Sequence, residues 1–273
     1  MVSLLSVIAL GFFLGMRHAT DPDHVVAVAT IVSRQRNLSR AALVGVFWGL
    51  GHTVTILVVG TCIILFNVVI PARIGLSMEL SVGIMLIILG VLNVISFLRA
   101  VPAASVDTRD QESRDHNHVH SHAHSHGDYI HTHHHHHDPE AHPHNPDASP
   151  LASLDRRLSR FHFYQHLRPL AVGVIHGLAG SAAVALLVLA TIRNPRWAVV
   201  YLLVFGIGTI AGMMVITMSL ASTLKVAADR SHYIAGKLGM AAGLLSLTFG
   251  VFVVYQIGFV NGLFTAHPMW IPK

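Results

Sequence analysis

The chain has 273 residues, of which 53% are hydrophobic and only 11% are charged, with a formal net charge of +5. An ordinary soluble domain is about a quarter charged, so this composition excludes one and points to a lipid bilayer. The basic residues fall in the loops between apolar runs, where they report orientation, and no nucleic-acid partner is expected.

Six apolar runs follow one another: Val2 to Met16, Ala41 to Ile70, Ile74 to Leu98, Pro169 to Ile192, Trp197 to Leu224 and Leu238 to Val260. A bilayer core takes about 20 apolar residues per helix. Five runs are long enough alone, and the first becomes so if it continues to Val32. The runs are continuously apolar, whereas barrel strands alternate. The expected fold is therefore an all-α integral membrane protein with six transmembrane helices. The first run has no basic start and no small-residue cleavage site, so it is expected to remain as a span. The lone Cys62 excludes an internal disulfide framework.

The first run leads into "RHATDPDHVVAVA", Arg17 to Ala29. Ionisable residues inside a span cost about 2.5–3.5 kcal/mol each on insertion scales and mark a functional site. Here Arg17, His18, Asp21, Asp23 and His24 crowd together, and the apolar run then resumes. As one helix, residues 2–32 would measure about 46 Å, too long for one straight crossing. Pro22 removes a backbone donor and disfavours helix at Asp21, so the first span is expected to break at the motif. On an unbroken helix His18, Asp21 and His24 share a broad face and Asp23 points away; a break lets Asp23 join His24. Two imidazoles and one or two carboxylates suit a divalent transition ion such as Ni2+, Co2+ or Zn2+, and suit Mg2+ or Ca2+ poorly. Arg17 is expected to pair with Asp21 or Asp23, or to face the cytoplasmic side of the site.

The second span adds "GLGHTVT", with His52 about eleven residues in. Beside the first cluster it is expected to be a ligand. His176 in the fourth span and Met213 in the fifth are weaker metal candidates.

The polar stretch that follows the third span breaks the composition. The chain divides into 1–99, a first three-helix half with the motif; 100–168, a His-rich linker; and 169–273, a second three-helix half. Fourteen of the 22 histidines lie between His116 and His144 in the linker: His116, His118, His120, His122, His124, His126, His131, His133, His134, His135, His136, His137, His142 and His144. The tract has no apolar periodicity, is expected to be mostly disordered, and would serve as a loop metal buffer. "LDRRLSRFHFYQHLRPL" after it reads as a short amphipathic surface helix.

The halves look related. Setting His18 on His176 puts Gly15 on Gly173, and Gly49 and Gly51 fall on Gly206 and Gly208. Three spans per half is odd, so the expected 3+3 repeat is inverted, a common transporter plan. Thirteen Lys and Arg residues fall in the loops on one side of the six spans and four on the other. The first side is expected to be cytoplasmic, with the His-rich loop there and both termini outside.

His18, four residues, then Asp23-His24 resembles the HxxxxDH motif of the nickel/cobalt transporter (NiCoT/NicO) superfamily. "RHATDPDH" is close to its signature, and "GHT" at Gly51 to Thr53 is similar to its next-span motif. With the motif in the first span, the chain resembles the short urease-accessory-protein (UreH-like) branch. The His-rich loop is similar to that of the efflux branch. The resemblance implies a multi-pass protein of a bacterial plasma membrane. It implies Ni2+ or Co2+ as transported substrate, with no permanently bound cofactor, and His18, Asp23, His24 and His52 as ion-binding positions. Two other readings stand beside transport. One is a non-transporting accessory protein serving nickel-enzyme maturation proteins. The other is a metal-dependent membrane enzyme, which the sequence supports less, since no second catalytic pair is evident. The chain is therefore expected not to be an enzyme.

Overall fold

The computed structural model describes residues 4–33, 35, 37–66, 70–100, 120–126, 129–135, 167–179, 192 and 194–270. The first run is broken where Pro22 demands it. Helix α1 covers Leu4–His18 and α2 covers Pro22–Val32. Asp21 between them is extended, at φ −60 and ψ 144, the conformation a following proline favours. Pro22 then starts α2, where its missing N–H would have had no partner anyway. At the end of α1 the N–H of Thr20 donates to the Arg17 carbonyl (2.8 Å) and that of Asp21 to the His18 carbonyl (3.1 Å), tightening the last turn.

Five further helices follow: α3 (Leu38–Phe66), α4 (Ala72–Ala100), α5 (Leu167–Ala179), α6 (Pro195–Arg230) and α7 (His232–Tyr255), which ends in a π-helical turn at Gln256–Val260. Leu38–Phe66, Ala72–Leu98, Pro195–Arg230 and Ile234–Val260 are each long and apolar enough to cross a membrane. Of the six expected spans, the first is therefore divided between α1 and α2. The fourth is described as far as Ala179, and its continuation lies outside the described residues. Large apolar side chains such as Phe13, Val58, Phe66, Ile88 and Phe252 are exposed. A protein whose long helices expose such side chains in number belongs in lipid, and this is a multi-pass membrane protein.

Glycines set the helix crossings. A Cβ at Gly15 would lie 2.0 Å from the Phe205 carbonyl oxygen, and one at Gly173 would lie 2.1 Å from that of Trp48. One at Gly208 would meet the Phe12 carbonyl at 2.1 Å, and one at Gly51 the Leu170 carbonyl at 2.3 Å. So α1 lies backbone to backbone along α6, and α3 along α5. Gly15 and Gly173, and likewise Gly51 and Gly208, are the positions set on each other when His18 is aligned with His176 and the second run with the fifth. Small residues allow this approach in membranes, where packing and interhelical hydrogen bonds replace the hydrophobic drive. Helices α3 and α6 join these pairs at the centre: Gly49 abuts Ile210, and Thr53 Oγ1 donates to the Gly206 carbonyl at 3.1 Å.

Helix α4 packs on α7, with Ser246 Oγ donating to the Leu86 carbonyl at 2.9 Å. Asn93 ties this pair to α2 through the Thr30 carbonyl (2.8 Å) and Ser33 Oγ (2.9 Å). Glu79, the charge in the third apolar run, accepts from Trp270 Nε1 at 2.9 Å. An intramembrane carboxylate thus has a donor.

In the linker, β1 (His120–His126) and β2 (Tyr129–His135) pair antiparallel, with His122 opposite His133 and His124 opposite His131. The membrane part is helical as expected, and these two strands are the part of the His-rich tract that is described. The His-x-His alternation has the period of a strand. His116, His118, His136, His137, His142 and His144 lie outside the described residues, as does most of the predicted amphipathic helix.

Candidate metal centre

Four helices deliver one histidine each to a single place. His18 is the last residue of α1, His24 stands in the first turn of α2, His52 lies midway along α3, and His176 lies near the end of α5. The break brings His18 and His24 together, with ring centres 4.8 Å apart. His18 Nε2 lies 3.0 Å from His52 Nε2. The rings of His24 and His176 are 4.1 Å apart, centre to centre. His24, His52 and His176 are each 1% exposed, so the imidazoles are sealed inside the bundle.

The carboxylates divide their work. Asp23 accepts from the His24 backbone N–H at 3.0 Å. Its Oδ1 lies 3.1 Å from His24 Nδ1 and its Oδ2 lies 3.0 Å from His176 Nε2. Asp23 also sits in the first turn of α2, where the helix dipole favours negative charge. Asp21 instead contacts His18 Nδ1 at 2.7 Å. An imidazole gripped at one nitrogen by a carboxylate has its other nitrogen fixed in direction, the arrangement that supports metal-bound histidines.

Two groups of side chains bring ligand atoms within 4.8 Å of one another: His18, His24 and His52; and Asp23, His24 and His176. Of the predicted candidates, His18, Asp23, His24, His52 and the weaker His176 therefore meet. Asp21 stands behind His18, outside both groups. Met213, the other weaker candidate, is fully buried among core residues, and its backbone carbonyl accepts from Thr217 Oγ1. Arg17 pairs with neither aspartate: Asp21 is held by His18, and Asp23 by His24 and His176.

Trp48 is the residue the sequence reading passed over. Its ring stacks 6.5 Å from His24 and lies 5.7 Å from His176, centre to centre, and it is fully buried. It stands one helical turn before His52, on the same face of α3, and that spacing was the available signal.

If Asp21 orients His18, Asp21→Asn should weaken Ni2+ binding by about 10–100-fold, the usual cost of losing such a support, while leaving thermal stability near wild type. Calorimetric titration of the purified chain checks it; unchanged affinity would remove Asp21 from the centre.

The comparisons with known proteins give the family. A family model described as "High-affinity nickel-transport protein" (NicO) matches residues 4–263. The urease accessory protein UreH of Bacillus sp. (strain TB-90) is 34% identical over 270 residues, covering 99% of this chain and 98% of that one. No solved structure matches. A match over nearly the whole chain makes this chain a member of the NicO family of nickel-transport proteins.

Proposed function

We propose that the chain is a secondary transporter that carries Ni2+, with Co2+ as a second ion, through the His/Asp centre between its two halves. The observation that carries this reading is the convergence of three buried histidines, the partly buried His18 and Asp23 from four helices at the break between α1 and α2. Imidazole donors suit Ni2+ and its neighbours. Discontinuous helices with a midplane site are a recurrent transporter device. The paired glycine contacts, Gly15 with Phe205 and Gly173 with Trp48, support an inverted 3+3 repeat with six spans. Opposed motion of the halves along these crossings would open the centre to each side in turn. The excess of Lys and Arg supports a cytoplasmic linker and outer termini. The linker histidines would collect the ion there.

The test is uptake of radiolabelled Ni2+ into proteoliposomes. Wild type is expected to carry the ion, and His18→Ala and Asp23→Asn to stop it. Deleting residues 116–144 should lower the number of ions bound per chain without changing the affinity of the intramembrane centre. The resemblance to a urease accessory protein favours a second reading, a membrane accessory that passes nickel to a maturation partner. A folded wild-type chain without flux, copurifying with such a partner, would select it.

A further inference from the structure

We infer that the centre holds two successive positions for one ion, on opposite sides of the His24 ring, and that His24 hands the ion from one to the other. This rests on the transport reading above and specifies its path.

Asp23 Oδ1 lies 3.1 Å from His24 Nδ1, Asp23 Oδ2 lies 3.0 Å from His176 Nε2, and the two nitrogens are 3.2 Å apart. Ligand atoms held about 2.0–2.1 Å from one transition ion lie about 3 Å apart, so the two nitrogens and the carboxylate beside them already have the spacing of a coordination face. Both N–H groups can donate to the carboxylate at this spacing; a cation there meets the nitrogen lone pairs and the carboxylate oxygens instead.

The other nitrogen, His24 Nε2, is buried and has no hydrogen-bond partner. It is the one left for His18 and His52, whose Nε2 atoms are 3.0 Å apart and whose ring centres both lie within about 5 Å of that of His24. That makes an all-imidazole position, with Asp21 gripping His18 from behind. The second position, of two imidazoles and one carboxylate, lies toward Trp48, one turn nearer the start of α3.

A neutral imidazole has one in-plane lone pair, because its second nitrogen carries the proton. His24 therefore serves one position at a time. As the ion crosses, the ring gains a proton at the nitrogen it vacates and loses one at the nitrogen it engages, with no net change. The carboxylate of the second position is a third exposed, which gives the ion a polar way out.

Equilibrium binding of Co2+ to the purified full chain, followed by its visible absorption, tests this. Counted at the intramembrane centre, above the ions that the linker histidines hold, wild type is expected to bind one ion. His52→Ala and His176→Ala should each retain one there, about tenfold or more weaker and with different spectra, while both lose flux. His24→Ala and the His52→Ala/His176→Ala double variant should bind none there. His176→Gln, which keeps bulk but removes the imidazole, covers the case in which His176→Ala fails to fold. If His52→Ala and His176→Ala each lose binding as completely as His24→Ala, the centre is a single site and the handover is wrong. If the His176 variants change neither binding nor flux, the second position falls while the transport reading stands. Two ions bound at once would overturn the alternation. A wild type that binds no Co2+ would remove the transport reading and this inference together.

Discussion

His24→Ala is expected to abolish Ni2+ binding at the intramembrane centre and Ni2+ flux together. No other side chain belongs to both ligand groups. Losing a residue that merely supports a ligand costs about 10–100-fold in affinity, so losing a ligand common to both groups should cost more than about 100-fold. The ring is 1% exposed and stacks on Trp48, so its removal also leaves a hole, and some loss of stability will accompany the loss of binding. His24→Gln separates the two effects, since it refills most of the volume without restoring an imidazole. Calorimetric titration and thermal unfolding on the same preparations make the comparison. Retained affinity in either variant would mean that the ion passes elsewhere.

The second large effect is expected at a residue that offers no ligand atom. Gly173→Ala places a methyl group 2.1 Å from the Trp48 carbonyl and 3.1 Å from the His52 backbone nitrogen. Both partners are backbone, so the helices must separate. Overpacking of this kind costs about 1–3 kcal/mol. The displacement also reaches function, because His176 lies one turn further along α5 and His52 faces it on α3. A misplacement of about 1 Å can cost two orders of magnitude in a positioned centre. Gly236→Ala is the control: a Cβ there meets nothing within 4 Å, so it should leave both properties unchanged or slightly improve stability. Thermal unfolding in detergent and flux in proteoliposomes read the pair. Equal behaviour of the two variants would show that the close crossing is not what holds the centre.

Much of this molecule was legible in one dimension. The apolar runs were readable because each membrane helix must satisfy its backbone internally and face lipid over a fixed thickness. The break at Pro22 was readable because proline and the residue before it have few conformations. His18, Asp23 and His24 were readable because charge inside such a run needs a reason. What the sequence could not decide was how the two halves meet. His176 looked weak because its half lacks the Asp-His pair, with Ser181 and Ala182 at the corresponding places. It becomes a partner of Asp23 only because Gly51 and Gly173 let α5 lie against α3. Asp21 and Asp23 sit two residues apart in sequence, yet one supports His18 and the other faces His24 and His176. Local chemistry determined where the polar groups break the membrane run. Tertiary contact decided which of them converge, because coordination needs atoms about 3 Å apart from segments that only helix packing brings together.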